Sequence, residues 1–99
     1  MGSGMGIRGQ GNVVVGVGAT RVSATSVPCS ETLLQSDSGD LVNANSTPVF
    51  VGVSTDPAVL MASGIVVRPG QAIPVSCVNM NSLYATCSAG GQYLRWTAL

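Results

Sequence analysis

The side chains able to do chemistry are few, and what is missing among them restricts the reaction types. The chain has three cysteines (Cys29, Cys77, Cys87), four arginines and four carboxylates, with no histidine and no lysine. A serine or cysteine nucleophile needs a neighbouring base, most often imidazole, and this chain has neither imidazole nor a lysine amine to stand in. Asp37 and Asp40 are spaced for an acid–base pair, but they sit in Ser36-Asp37-Ser38-Gly39-Asp40, whose composition is that of a polar turn. The same segment fails the calcium-loop pattern, because the alternating ligands stop after Asp37. No Cys-x-x-Cys occurs, so a zinc site lacks both its spacing and its histidines. No catalytic, cofactor-binding or metal-ligating residue is therefore assigned, and the chain reads as a non-enzyme.

An odd number of cysteines argues against a complete disulfide framework and for small buried hydrophobes in a reducing compartment. A Cys77–Cys87 bridge would need their two strands to pair. Gly16 and Gly18 lie in a valine-rich stretch, without a Lys-Ser/Thr pair, and read as a bulge or close packing instead of a phosphate loop. Arg68 and Arg95 sit beside a turn and on an outward strand position. The guanidinium fork suits a clamp on a carboxylate of another chain as well as a solvated charge. Trp96 reads as a core or interface anchor; a carbohydrate site could use Trp96 or Tyr93 with nearby Asn and Asp, and nothing in the spacing singles one out.

The elements that carry these residues read as β throughout. Valine, serine and threonine are frequent, and no stretch has a convincing 3.6-residue period. Strands are expected over Asn12 to Val17, continuing through Thr20 to Ala24 after a kink at Gly18, then over Glu31 to Gln35 and Pro48 to Ser54. Val59 to Ala62, Ile65 to Val67, Ala72 to Val78, Leu83 to Cys87 and Tyr93 to Leu99 follow. Leu41-Val42 is a short apolar step between the Ser36–Asp40 turn and a loop over Asn43 to Thr47. Pro69-Gly70 predicts a type II turn with Gly70 at positive φ. Pro74 cannot donate a ladder hydrogen bond, so its strand belongs at an edge or a bulge. Short strands with turns every 8–12 residues describe an all-β antiparallel sandwich, jelly-roll or Ig-like, of about seven to nine strands.

Two units are expected: a glycine-rich arm over residues 1–11 and one β-sandwich domain over residues 12–99. The arm holds five glycines yet also Met5, Ile7 and Arg8, which suits either a free tail or a segment that orders on docking. Charged residues make up 8% of the chain and sum to zero, against roughly 25% charged in typical domains. So uncharged a surface favours extensive contact with copies of itself or a partner. No basic patch supports nucleic-acid binding, no apolar run approaches a membrane span, and Met1 to Gln10 has no signal-peptide core. Gly6 stands where a myristoylation motif needs Ser or Thr.

Four motifs recur in a definite order: Val49-Phe50-Val51-Gly52, Gly64-Ile65-Val66-Val67-Arg68-Pro69-Gly70, Leu83-Tyr84-Ala85 and Gly90-Gly91-Gln92-Tyr93-Leu94-Arg95-Trp96. In order and spacing, across Pro48 to Trp96, they resemble small virion proteins of tailed bacteriophages, of the head decoration (cement) or head-fibre type. From Pro28 to Asn45 the chain departs from that pattern. The resemblance implies a β-sandwich made in the host bacterial cytoplasm and carried on the outer capsid surface. It also implies a homotrimer that binds the major capsid protein and reinforces the shell. Met5, Ile7, Arg8, Arg68, Tyr93, Arg95 and Trp96 are then the candidate capsid or oligomer interface. The alternative is a receptor- or glycan-binding module of a head fibre or tail, which requires an exposed aromatic groove at Trp96 or Tyr93.

Overall fold

The computed structural model describes residues 6–36 and 46–99. Two antiparallel sheets of four strands face each other. The first has the order β1 (Gly9–Val15), β8 (Gln92–Ala98), β3 (Glu31–Ser36), β6 (Ala72–Ser76). The second has the order β2 (Thr20–Arg21), β7 (Tyr84–Cys87), β4 (Val49–Gly52), β5 (Ile65–Val67). The all-β sandwich read from strand periodicity is the architecture found, with eight strands among the described residues.

Period-two alternation decides which side chains meet between the sheets. Leu34, Leu94, Trp96, Ala98 and Val15 face inward from the first sheet, and Val49, Val51, Val67, Ala85 and Cys87 from the second. Met80 and Leu83, from the 3-10 turn Met80–Ser82 and the residue after it, close one side. Pro74 lies on β6, an edge strand, as its missing N–H requires. The Arg68–Gln71 turn closes with Gln71 N–H donating to the Arg68 carbonyl at 2.9 Å, and Gly70 has φ 82°. That is the type II turn expected of Pro69-Gly70.

The structure differs from the sequence reading at five places. Val59 to Ala62 is not a strand but lies inside helix α1 (Pro57–Ser63). Asp56 caps it by accepting from Ala58 N–H at 3.0 Å, Pro57 fills the first turn, and Leu60 is its one buried residue. Second, the first strand begins at Gly9, so Gly9 to Gly11 pair with Ala98 to Trp96 and belong to the sheet. Third, Gly16 to Gly18 is no kink within one strand; the chain passes there from the first sheet to the second. Fourth, Thr86, which the alternation of Leu83, Ala85 and Cys87 puts on the outward face, is fully buried, because Gly16 and Val17 cross over it and its hydroxyl donates to the Val17 carbonyl at 2.9 Å. Fifth, Cys77 and Cys87 do not pair; Cys87 is buried in the second sheet with its thiol donating to the Val15 carbonyl, and Cys77 follows β6 of the first. The expectations for Asp37, Asp40, Leu41-Val42 and Asn43 to Asn45 lie outside the described residues.

Candidate functional site

The residues picked from the sequence do not form one surface. Met5 lies outside the described residues. Ile7, 62% exposed, and the exposed Arg8 precede β1, where the Arg8 amide donates to the Ala98 carbonyl at 2.7 Å. Arg68 is exposed in the β5–β6 turn, beside the other end of β3, because Gly70 N–H donates to the Ser36 carbonyl. Ser36 pairs with Leu94, so the attachment points of Arg8 and Arg68 are separated by about 13 Å along β8, from Ala98 to Leu94. Tyr93 and Arg95 are half-buried on the outer face of the first sheet.

Trp96 is inside. It is 7% exposed and its indole lies over Gly11, its direct cross-strand partner. A Cβ built on Gly11 would fall 2.8 Å from Trp96 Cε2 and Nε1, and one on Gly9 would fall 3.5 Å from Cζ3. The glycines of the expected arm thus leave room for a ring between the sheets. Of the two readings of Trp96, core anchor is the one found.

The outer face of the first sheet is polar. Asn12, Arg95 and Gln35 stand in one cross-strand row, and Gln10, Thr97 and Leu33 in the next. Five of these six, all but Leu33, help line a shallow depression of about 530 Å³. On the second sheet Arg21 lies over the Tyr84 ring, 5.4 Å from its centroid, and donates to the phenol oxygen at 2.7 Å. The buried Gln92 holds the segment leading into β4, its Oε1 accepting from Ser46 N–H at 2.7 Å and Thr47 N–H at 3.1 Å.

A different surface emerges where β5 and β6 edge their sheets. The sandwich gapes there, and α1 flanks the opening. The groove, about 350 Å³, is floored by Val51, Leu60, Val75 and Leu83. Around its mouth stand Val53, 76% exposed, with Val59 and Ile65, all three lining it. Met61 is also exposed on α1 but does not line the groove. Sequence reading missed this surface for one reason. Treating Val59 to Ala62 as a strand hides the helical period that sends Leu60 inward and Val59 and Met61 outward. Val53 was the available signal: it continues the Val49, Val51 alternation past the end of β4 at Gly52.

Chemically, this surface offers dispersion and desolvation. Among the described residues no three of His, Cys, Asp and Glu gather within reach of one metal ion. No helix among them is long and apolar enough to cross a membrane. Among the described residues Cys77 is the one group whose acidity is clearly moved: burial, then the hydrogen bond and charge of Cys29, push its thiol up to about 12. No family model, no curated protein and no solved structure matches the chain.

Proposed function

We propose that the chain is a structural virion protein, a decoration (cement) protein that binds the outer surface of a tailed-phage head and stabilises the major capsid protein shell. It acts without catalysis, by adding buried interface to the assembled state. The observation that carries this reading is the apolar surface of Val53, Val59 and Ile65 around the open sandwich edge. Exposed apolar groups gathered around a groove mark an interaction site, and a chain with 8% charged residues offers little to keep such a surface apart from others. The resemblance of the motifs from Pro48 to Trp96 supplies the partner, the major capsid protein, and the homotrimeric state.

The test is binding to undecorated heads, read as copies per major capsid protein by quantitative mass spectrometry. The expected stoichiometry is comparable to that of the capsid protein. A Val53→Asp/Val59→Asp double variant keeps the melting temperature, since both side chains are exposed, and loses at least about tenfold in affinity. Wild-type protein that does not bind heads overturns the function, and a variant that binds equally well overturns the surface.

The second reading, a receptor- or glycan-binding module of a head fibre or tail, is favoured by the polar depression of Gln10, Asn12, Gln35, Arg95 and Thr97. Trp96 lines the depression but is only 7% exposed, so the stacking group would be the half-buried Tyr93, which lies outside the lining on the same face as Arg95. Saturable binding to host cells, abolished by Gln35→Ala, with no binding to heads would favour it.

A further inference from the structure

Two thiols that the proposed function leaves unused meet at the edge of the first sheet. Cys29 Sγ lies 2.8 Å from Cys77 Sγ, only about 0.8 Å beyond the roughly 2.0 Å of a disulfide bond. The residues are 48 positions apart in the chain, and both are half-buried. Their meeting is held by backbone on both sides. Cys29 N–H donates to the Val78 carbonyl at 2.9 Å, Met80 N–H to the Val27 carbonyl at 3.0 Å, and Val27 N–H to Asn79 Oδ1 at 2.9 Å. Pro28 and Asn79 form a β-bridge. The Cys29 thiol also donates to the Cys77 carbonyl at 3.5 Å. Cys87 stands apart, fully buried, with the Val15 carbonyl and Gly90 N–H as its partners.

We infer that Cys29 and Cys77 form a reversible redox pair that closes to an intramolecular disulfide by exchange with a small-molecule disulfide such as oxidised glutathione. In the first step the Cys29 thiolate attacks one sulfur of the small disulfide. That S–S bond breaks, one glutathione thiolate leaves, and Cys29 carries a mixed disulfide. In the second step Cys77 Sγ attacks Cys29 Sγ and expels the second glutathione, the Cys77 proton passing to the departing thiolate. Two protein thiols are oxidised and one glutathione disulfide is reduced to two thiols. The order follows from the surroundings. Cys77 is held protonated by burial and by its neighbour, so it serves as the resolving thiol and Cys29 as the entering one. The product cross-links two ends of neighbouring strands across a long loop, the geometry in which a bridge most restricts the unfolded chain.

The test exposes the purified full chain to oxidised glutathione and reads intact mass, free thiols and melting temperature. The expected result is loss of two hydrogens with no retained glutathione, a fall from three titratable thiols to one, and a Cys29–Cys77 cross-linked peptide. Melting should rise on the order of 10 °C and return on reduction. Cys77→Ser should accumulate glutathione on Cys29, and Cys87→Ser should close as the parent does. Three persistent thiols, a lasting adduct on Cys29 in the parent chain, or a bridge involving Cys87 would each overturn the inference.

Discussion

The contact between Gly11 and Trp96 lends itself to a double-mutant cycle whose sign can be worked out in advance. Gly11 pairs directly with Trp96 across β1 and β8, and its φ is not positive, so alanine meets no backbone penalty there. The penalty is steric: an added Cβ lands 2.8 Å from two ring atoms and 2.9 Å from Cζ2. The ring is rigid and almost fully buried, and strand pairing fixes the spacing beneath it, so neither partner yields freely. Overpacking of this kind costs about 1–3 kcal/mol. Losing glycine's freedom in the unfolded chain returns about 0.4–1 kcal/mol. Gly11→Ala is therefore expected to destabilise by about 1–2 kcal/mol, lowering the melting temperature by roughly 4–16 °C. Trp96→Leu removes the obstruction at a cost of its own, about 2–4 kcal/mol from lost burial. In that background Gly11→Ala should become neutral or stabilising, which makes the coupling about 1–3 kcal/mol. Urea unfolding followed by far-UV circular dichroism measures all four corners without relying on the tryptophan signal. An equal cost of Gly11→Ala in both backgrounds, or a stabilising effect in the parent, would mean that the indole does not lie over Gly11.

Two further outcomes follow from the same geometry. Gly64→Ala places a Cβ 2.5 Å from the Leu60 carbonyl oxygen and 2.9 Å from that of Val51. Both obstacles are backbone, so the cost should be about 3 kcal/mol, visible in a urea midpoint; an unchanged midpoint would detach the end of α1 from β4. The Cys77 thiol predicts an alkaline dependence. Its folded pKa, about 12, lies above the ordinary value of 9.0, so at intermediate pH the unfolded chain releases a proton that the native chain keeps. The contribution is full below about 9 and is lost as pH rises from there toward 12. Under reducing conditions, stability of the parent relative to Cys77→Ser should fall over that range, and a difference independent of pH would contradict the shift.

The sandwich was legible because its strands announce themselves by alternation. Val49 and Val51, Ile73 and Val75, and Leu94 and Trp96 each mark a face, and Pro74 and Pro69-Gly70 marked an edge and a turn through backbone chemistry alone. What escaped was set by partners distant in sequence. Gly9 and Gly11 look like a flexible linker until Trp96, far along the chain, fills the space their missing side chains leave. Thr86 obeys the alternation and is buried anyway, because a crossover from the first strand lies on top of it. Helix α1 was hidden by brevity: about two turns bury only Leu60, too little for a period to show, although Asp56-Pro57 carries its cap. The apolar surface went unseen with the helix. Arg68 is exposed and Tyr93 and Arg95 lie half-buried on the outer face of their sheet, but alternation cannot say that Arg68 and Arg8 meet β8 at separate places, near Leu94 and Ala98.

Strand β8 occupies the interior of its sheet, between β1 and β3, and it is the final strand of the sequence. Its neighbours lie far upstream of it in the chain, and until Gln92 to Ala98 follow they have nothing between them to pair with. β1 and β3 therefore keep open, valine- and leucine-bearing edges until the segment that joins them is complete, and the ladder of the first sheet closes late. Such a chain acquires its native shape in one late event instead of by increments. Early association of unfinished chains, at those edges, is the hazard its expression must outrun.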